Sequence, residues 1–237
     1  TACCMAQRKS GRKQIVLPEI MDSEKVAVIK NFGKSTIDFV QVKCTKEGLI
    51  DIEDLKTKVN ETTAGVYFEN PNYLGIVETN GQEISDIAHS VGAESIVGVD
   101  PITLGVMATP AEYGADIVSG ELQPLGIHMN YGGGLAGFMA TRDEEDYVME
   151  FPSRLFGIAP TTEPGEYGFG DVAYDRTSFG HHREGGKEYV GTQSALWGRT
   201  AGVYLATMGP SGMEEVGQTC IQNARYAVKK LNEIKGV

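Results

Sequence analysis

From Lys58 to Lys187 the chain contains no lysine, although it holds thirteen among its 237 residues. Imine chemistry on a lysine is therefore excluded across that gap, because no primary amine is there to attack a carbonyl. Cysteine is also scarce. Cys3, Cys4, Cys44 and Cys220 form no CxxC pair, and two adjacent cysteines are poor geometry for a disulfide or a zinc site, so these read as buried small apolar residues. Of the four histidines, His181 and His182 sit beside Asp175 and Glu184. They lack any further metal-ligand spacing, so the expectation is a polar loop and no metal. No apolar run approaches the ~20 residues of a membrane span, and no basic, apolar leader opens the sequence. These absences point to a cytoplasmic protein with no membrane partner. Positive charge is in the minority as well: 21 Lys and Arg against 32 Asp and Glu give a net charge of -11. That balance excludes nucleic acid as a partner, since phosphate neutralisation requires clustered cations. With no Ser/His/Asp order and no GxSxG elbow, nucleophilic hydrolysis has no support either.

What is present alternates. A chain 41% hydrophobic and 22% charged can bury a sizeable core and suits one large domain. "TACCMAQRKSGRK" reads as the last turns of a helix stopping at a basic, glycine-marked end. The strand "QIVLP" follows, then a helix over 23–32 capped by Asp22 or Ser23, a strand over 36–42, and a helix over 51–59. "GVYFEN", a helix over 81–91, "SIVGVD", a short helix near 110–113, "DIVSG" and "GLAGFMA" continue the series. Short Val- and Ile-rich runs separated by helices predict a three-layer α/β/α architecture with a mostly parallel sheet. From 151 to 190 the pattern fails, in a stretch dense in Gly, Pro, Thr and aromatics; so long an irregular segment is usually functional. Helices over 194–208 and 213–234 flank a "GPSG" break. The expected division is a large domain over 1–208, lacking its N-terminal part, and a linking helix over 209–237 toward a C-terminal small domain.

In parallel sheets, ligands bind at the carboxyl ends of the strands. Asn70, Asp100 and the run from Glu121 to Gln123 all stand at such ends and are expected to converge on one edge. Asp100 also reads as a helix cap before Pro101, and the two readings are evenly balanced. The cluster "YGGGLAG" reads as a tight turn, since it lacks the strand and helix of a phosphate loop. "DRTSFGHHREGGKE" carries Arg176, His182 and Arg183, which have the chemistry to clamp an anion, although composition favours a solvated loop.

The runs "ENPNYLGIVE", "VDPITLG", "GADIVSGELQPLG", "GGGLAGF", "FPSRLFG", "DRTSFGHHRE" and "YLATMGPSGM", in this order, resemble subunit 1 of the pyridoxal-phosphate-dependent glycine decarboxylase family, the P-protein of the glycine cleavage system. The resemblance covers about 11–213. It implies an incomplete large domain of the pyridoxal-phosphate-dependent transferase type, with a mixed, mostly parallel seven-stranded sheet. The phosphate-cup loop and helix start of that fold would lie in the missing N-terminal part. In the two-subunit form the Schiff-base lysine belongs to subunit 2, and subunit 1 is a related half with a degenerate site. Gln123 then lies at, or within one residue of, the lysine position, and Asp100 in the region that faces the pyridine nitrogen. The chain departs from the family pattern at Ser153, where glycine is usual, and in "REGGKEYVGTQSAL".

The resemblance implies part of a glycine decarboxylase that removes CO2 from glycine and passes the aminomethyl group to the lipoyl arm of H-protein, as a hetero-oligomer with the lysine-bearing subunit 2. Pyridoxal phosphate would serve the assembled enzyme without covalent attachment to this chain, which alone would be inactive. Asn70, Glu121, Arg176, His182 and Arg183 are the interface or substrate candidates, and 151–187 is the candidate interface region. Two rivals remain: a non-catalytic binding or regulatory protein that retains the fold, and an independent lyase using Lys187.

Overall fold

In a computed structural model of the chain, the described residues are 1–129, 134–153, 155–172, 187 and 194–236. Helix α1 (Ala2–Ser10) ends at Gly11, whose φ of 68° suits a residue without Cβ and whose N–H returns to the carbonyl of Gln7. Its small side chains, Ala2, Cys3, Cys4 and Ala6, are buried with Met5, so the helix lies close on the sheet. Strand β1 (Gln14–Pro18) and helix α2 (Ser23–Gly33) follow. The Asp22 carboxylate starts α2 by accepting from the N–H groups of Glu24 and Lys25. Strand β2 (Asp38–Val42) leads to helix α3 (Ile52–Lys58), which Asp51 caps in the same way through Glu53 and Asp54.

Strand β3 (Thr63–Glu69), helix α4 (Gly81–Ser90) and strand β4 (Glu94–Val99) form the centre. Every residue of β3 and β4 is buried, the mark of strands covered on both faces. Strand β5 (Ile117–Glu121) is parallel to them, and β6 (Gly137–Thr141) closes the edge antiparallel. The sheet order is β2-β1-β3-β4-β5-β6. Period-two alternation divides the core. Ile15, Leu17, Tyr67, Ile96 and Ile117 point to the layer of α1 with Met5 and Tyr147. Val16, Val66, Phe68, Val97 and Val99 point to the opposite layer with Leu55, Ile84 and Ala88. The three-layer, mostly parallel architecture expected from the sequence is present. Six strands occupy this sheet among the described residues, where the family resemblance implies seven.

One expectation needs correction. The stretch beginning at 151 is not irregular throughout: after helix α5 (Glu145–Val148), strands β7 (Leu155–Pro160) and β8 (Tyr167–Val172) form an antiparallel hairpin of their own. Phe156 and Phe169 stack across it with ring centroids 5.7 Å apart. Glycines 157, 168 and 170 interrupt the apolar alternation, which hid the strands from a reading based on periodicity.

Helix α6 (Ala195–Asn232) departs from helical geometry at Gly209, with φ 61°, just before Pro210, at the "GPSG" break. Beyond that kink it bears on the turn that follows β4. A Cβ on Gly105 would lie 2.4 Å from the carbonyl oxygen of Met213, and one on Gly217 would lie 3.1 Å from that of Ile102. At Gly105 backbone rests on backbone, and at Gly217 the Val106 side chain shares the contact.

Candidate functional site

The carboxyl ends of β3, β4 and β5 lie side by side. Glu69 is in register with Gly98, and Val99 with Gly120, while Asn70 N–H donates to the Gly98 carbonyl at 2.9 Å. Asn70, Asp100 and Glu121 therefore stand on neighbouring strand ends, as the alternation predicts. A cleft of about 950 Å³ opens on this edge, between the sheet, the start of α1 and one side of α2 from Lys25 to Phe32. Val28, Phe32 and Tyr73 form part of its wall, and Phe138, Met139 and Phe151 another part.

The structure separates the sequence candidates. Asp100 lines the cleft. Its Oδ1 accepts from Ile102 N–H at 2.9 Å and its carbonyl accepts from Thr103, so it caps the following turn and still presents a carboxylate. The balanced readings of Asp100 are thus compatible. Glu121 also lines the cleft, and its Oε1 accepts from the N–H groups of Leu122 and Gln123. Asn70 does not line it. That side chain is 5% exposed and clasps the backbone of Glu78, accepting from its N–H at 3.0 Å and donating to its carbonyl at 3.3 Å. Asn70 therefore holds the 70–78 loop shut. Gln123 is half-buried and also outside the cleft lining; its carbonyl accepts from Ile127 N–H in a tight turn that Gly126 completes at φ 79°. Arg176, His182 and Arg183 lie outside the described residues.

Three residues were missed. Glu69, at the end of β3, is 7% exposed. Its Oε1 takes the Tyr67 hydroxyl at 3.0 Å and the Lys25 ammonium at 2.5 Å. Burial first, and then the charge of Glu69, raises the Tyr67 phenol well above its usual range, so it stays a donor. Gly98, opposite on β4, makes the room: a Cβ there would fall 2.5 Å from the Tyr67 hydroxyl. A carboxylate closing an otherwise apolar run, "GVYFEN", was the available signal, because a buried charge needs a partner. Its partner lay on a helix more than forty residues upstream.

Lys187 does not reach the cleft lining. Its ammonium lies 3.1 Å from the Glu150 carboxylate, which also binds Arg8 in the last turn of α1, and it donates to the Met149 carbonyl. Cys3 lines the cleft, and burial pushes its thiol up to about 12, which makes it a poor nucleophile. Among the described residues no group of three or more His, Cys, Asp or Glu side chains could hold a metal, and no helix is long and apolar enough to cross a membrane.

The family model of the glycine cleavage system P-protein matches residues 1–236. The probable glycine dehydrogenase (decarboxylating) subunit 1 of Pyrococcus furiosus is 39% identical over 228 residues, 95% of this chain and 50% of that protein. Its counterpart in Thermococcus kodakarensis is 37% identical over 235 residues, 98% of this chain and 51% of that protein. The crystal structure of glycine decarboxylase (P-protein) of the glycine cleavage system, in inhibitor-bound form, matches with a TM-score of 0.88 at 29% identity, covering 99% of this chain and 52% of that one. Alanine aminotransferase from Pyrococcus furiosus, at 17% identity and a TM-score of 0.56, shares the fold alone. The chain spans about half the length of the curated relatives it matches.

Proposed function

The chain belongs to the glycine cleavage system P-protein family, and from that premise we propose that it is part of the non-lysine subunit of a pyridoxal-phosphate-dependent glycine decarboxylase. The full protein pairs with a lysine-bearing subunit, which holds the cofactor. Together they release CO2 from glycine and hand the aminomethyl group to the lipoyl arm of H-protein. The observation that carries this reading is the strand-end cleft. Where the fold gathers its ligand-binding edge, β5 ends in Gly120 and Glu121, Leu122 and Gln123 follow, and no free amine stands there.

The described residues of this cleft do not fit covalently held pyridoxal phosphate. They offer the Asp100 carboxylate, suited to a protonated ring nitrogen. The one side-chain cation among the described lining residues, Lys25, is taken by Glu69. An amide such as Gln123 lacks the nucleophile that an imine requires. What this chain contributes is instead a shaped wall, with Asp100 and Glu121 held by their own turns. The aromatic face of the β7–β8 hairpin, where Phe156, Ile158, Tyr167 and Phe169 are exposed, is a surface for the assembled enzyme.

Glycine–bicarbonate exchange tests the proposal. The full-length protein alone and the lysine-bearing subunit alone are expected to be silent, and the mixture active. Exchange by this protein by itself, or none from any pairing, refutes it.

A further inference from the structure

The β7–β8 hairpin carries a large apolar face that the described residues leave open. Its register pairs Phe156 with Asp171, Ile158 with Phe169 and Pro160 with Tyr167, which puts these side chains on one face. Gly157, Ala159, Gly168 and Gly170 fall on the other. A hairpin with its bulk on a single face cannot bury that face by itself, and two strands alone are marginal in water. Phe156 is 56% exposed, Ile158 72%, Tyr167 71% and Phe169 73%. Side chains of this size leave roughly 400 to 500 Å² of apolar surface open. A patch of that extent on a single chain is often functional, and it supplies about half of the ~800 Å² that each partner buries in a stable interface. The hairpin also rises from the wall of the cleft, because Phe151, Pro152, Ser153 and Leu155, which lead into it, line the cleft.

Charge selects what can cover the face. From 143 to 172 the sequence holds eight Asp and Glu against one Arg, with no Lys and no His, and Glu163 and Glu166 are exposed in the turn of the hairpin. A second copy meeting this face across a two-fold axis would set carboxylates against carboxylates, which opposes association. The occupant is therefore a different protein surface, apolar at its centre and cationic at its rim. Several large apolar side chains on one face match the composition of a permanent contact better than that of a passing encounter. We propose that the face formed by Phe156, Ile158, Tyr167 and Phe169 is the seat of the lysine-bearing subunit, which meets it with apolar residues ringed by Lys or Arg. This seat presupposes the two-subunit reading and adds to it where the two chains meet: beside the cleft, on a hairpin that the pairing completes.

The test uses the full-length protein and the lysine-bearing subunit, with the dissociation constant of the pair measured by sedimentation at several salt concentrations. Ile158→Glu puts a charge into the middle of the face and is expected to weaken pairing roughly thirtyfold or more. Glu163→Lys with Glu166→Lys changes only exposed side chains of the turn. It is expected to weaken pairing roughly tenfold and to reduce its salt dependence, and it decides the matter should urea unfolding show that Ile158→Glu does not fold. Amides of 155–172 are expected to gain protection from hydrogen exchange on mixing. If wild type pairs and both variants pair as tightly, the seat lies elsewhere, while the two-subunit reading stands. No pairing by wild type refutes both. Three other outcomes overturn the seat alone. Protection of 155–172 as strong in the protein by itself as in the mixture assigns the cover to its own chain. Self-association lost in Ile158→Glu with pairing intact assigns it to a second copy. Binding of lipoylated H-protein lost with pairing intact assigns it to the carrier.

Discussion

Lys25→Met removes one charge from the cleft and keeps most of the apolar stem, so its effect isolates the ion pair. Coulomb's law at the observed 2.5 Å gives about 1.7 kcal/mol in bulk water and about 6.6 kcal/mol at an effective dielectric constant of 20. The half exposure of Lys25 draws the value toward the lower figure, and ordering a long side chain subtracts from it. What remains is a coupling of about 2 kcal/mol. Lys25→Met alone is expected to cost about 2 to 3 kcal/mol, because among the described residues the nearly buried Glu69 carboxylate then keeps only the Tyr67 hydroxyl. Glu69→Gln alone should cost about 1 kcal/mol, since an amide oxygen still accepts from Tyr67. The double variant should be more stable than the sum of the single losses implies. The assay is urea unfolding of all four proteins at neutral pH, analysed as a double-mutant cycle. If the two single effects add to within about 0.5 kcal/mol, the pair contributes nothing beyond its parts, and the argument that Glu69 fixes Lys25 fails.

Asn70→Ala strips two hydrogen bonds from the Glu78 backbone in a buried loop. It is expected to lower stability by about 2 to 3 kcal/mol, read as a lower urea midpoint at unchanged slope; a neutral result would return Asn70 to the list of ligand candidates. The Tyr67 and Tyr147 hydroxyls are both raised above the ordinary 10.0, chiefly by burial and then by Glu69 and Glu94 respectively. A raised folded-state value means stability that is complete below the unfolded value and falls as pH rises past it. Unfolding free energy should therefore decline above about pH 10, and the decline should flatten in Tyr67→Phe with Tyr147→Phe.

The parts of the fold legible in the sequence were those governed by local chemistry. "QIVLP" is β1 to the residue, because a run bounded by Gly11 and Asp22 has few alternatives. The cap at Asp22 and the stop at Gly11 follow from unsatisfied helix ends, whereas Asp51, expected inside its helix, proves to be its cap. The position of Asp100 and Glu121 on one edge was legible because strand ends in a parallel sheet share that edge. Asn70 shares that edge, but its side chain answers to Glu78, eight residues on, and no pattern in the sequence announces which way an amide at a strand end turns. Lys25 and Glu69 were hidden for the complementary reason. Their contact spans forty-four residues and two layers, so it exists only once α2 has been laid beside β3.

The seat of α6 on the turn after β4 gives that helix a mechanical character. At Gly105 and Met213 the approach is main chain to main chain, so no rotamer change can take up a displacement. The seat works as a fulcrum. From Met213 the helix runs nineteen residues further to Asn232, an arm of about 28 Å at the α-helical rise. A tilt at the fulcrum is magnified at the tip, and a load on the tip is returned, reduced in amplitude and increased in force, to the turn that Asp100 caps.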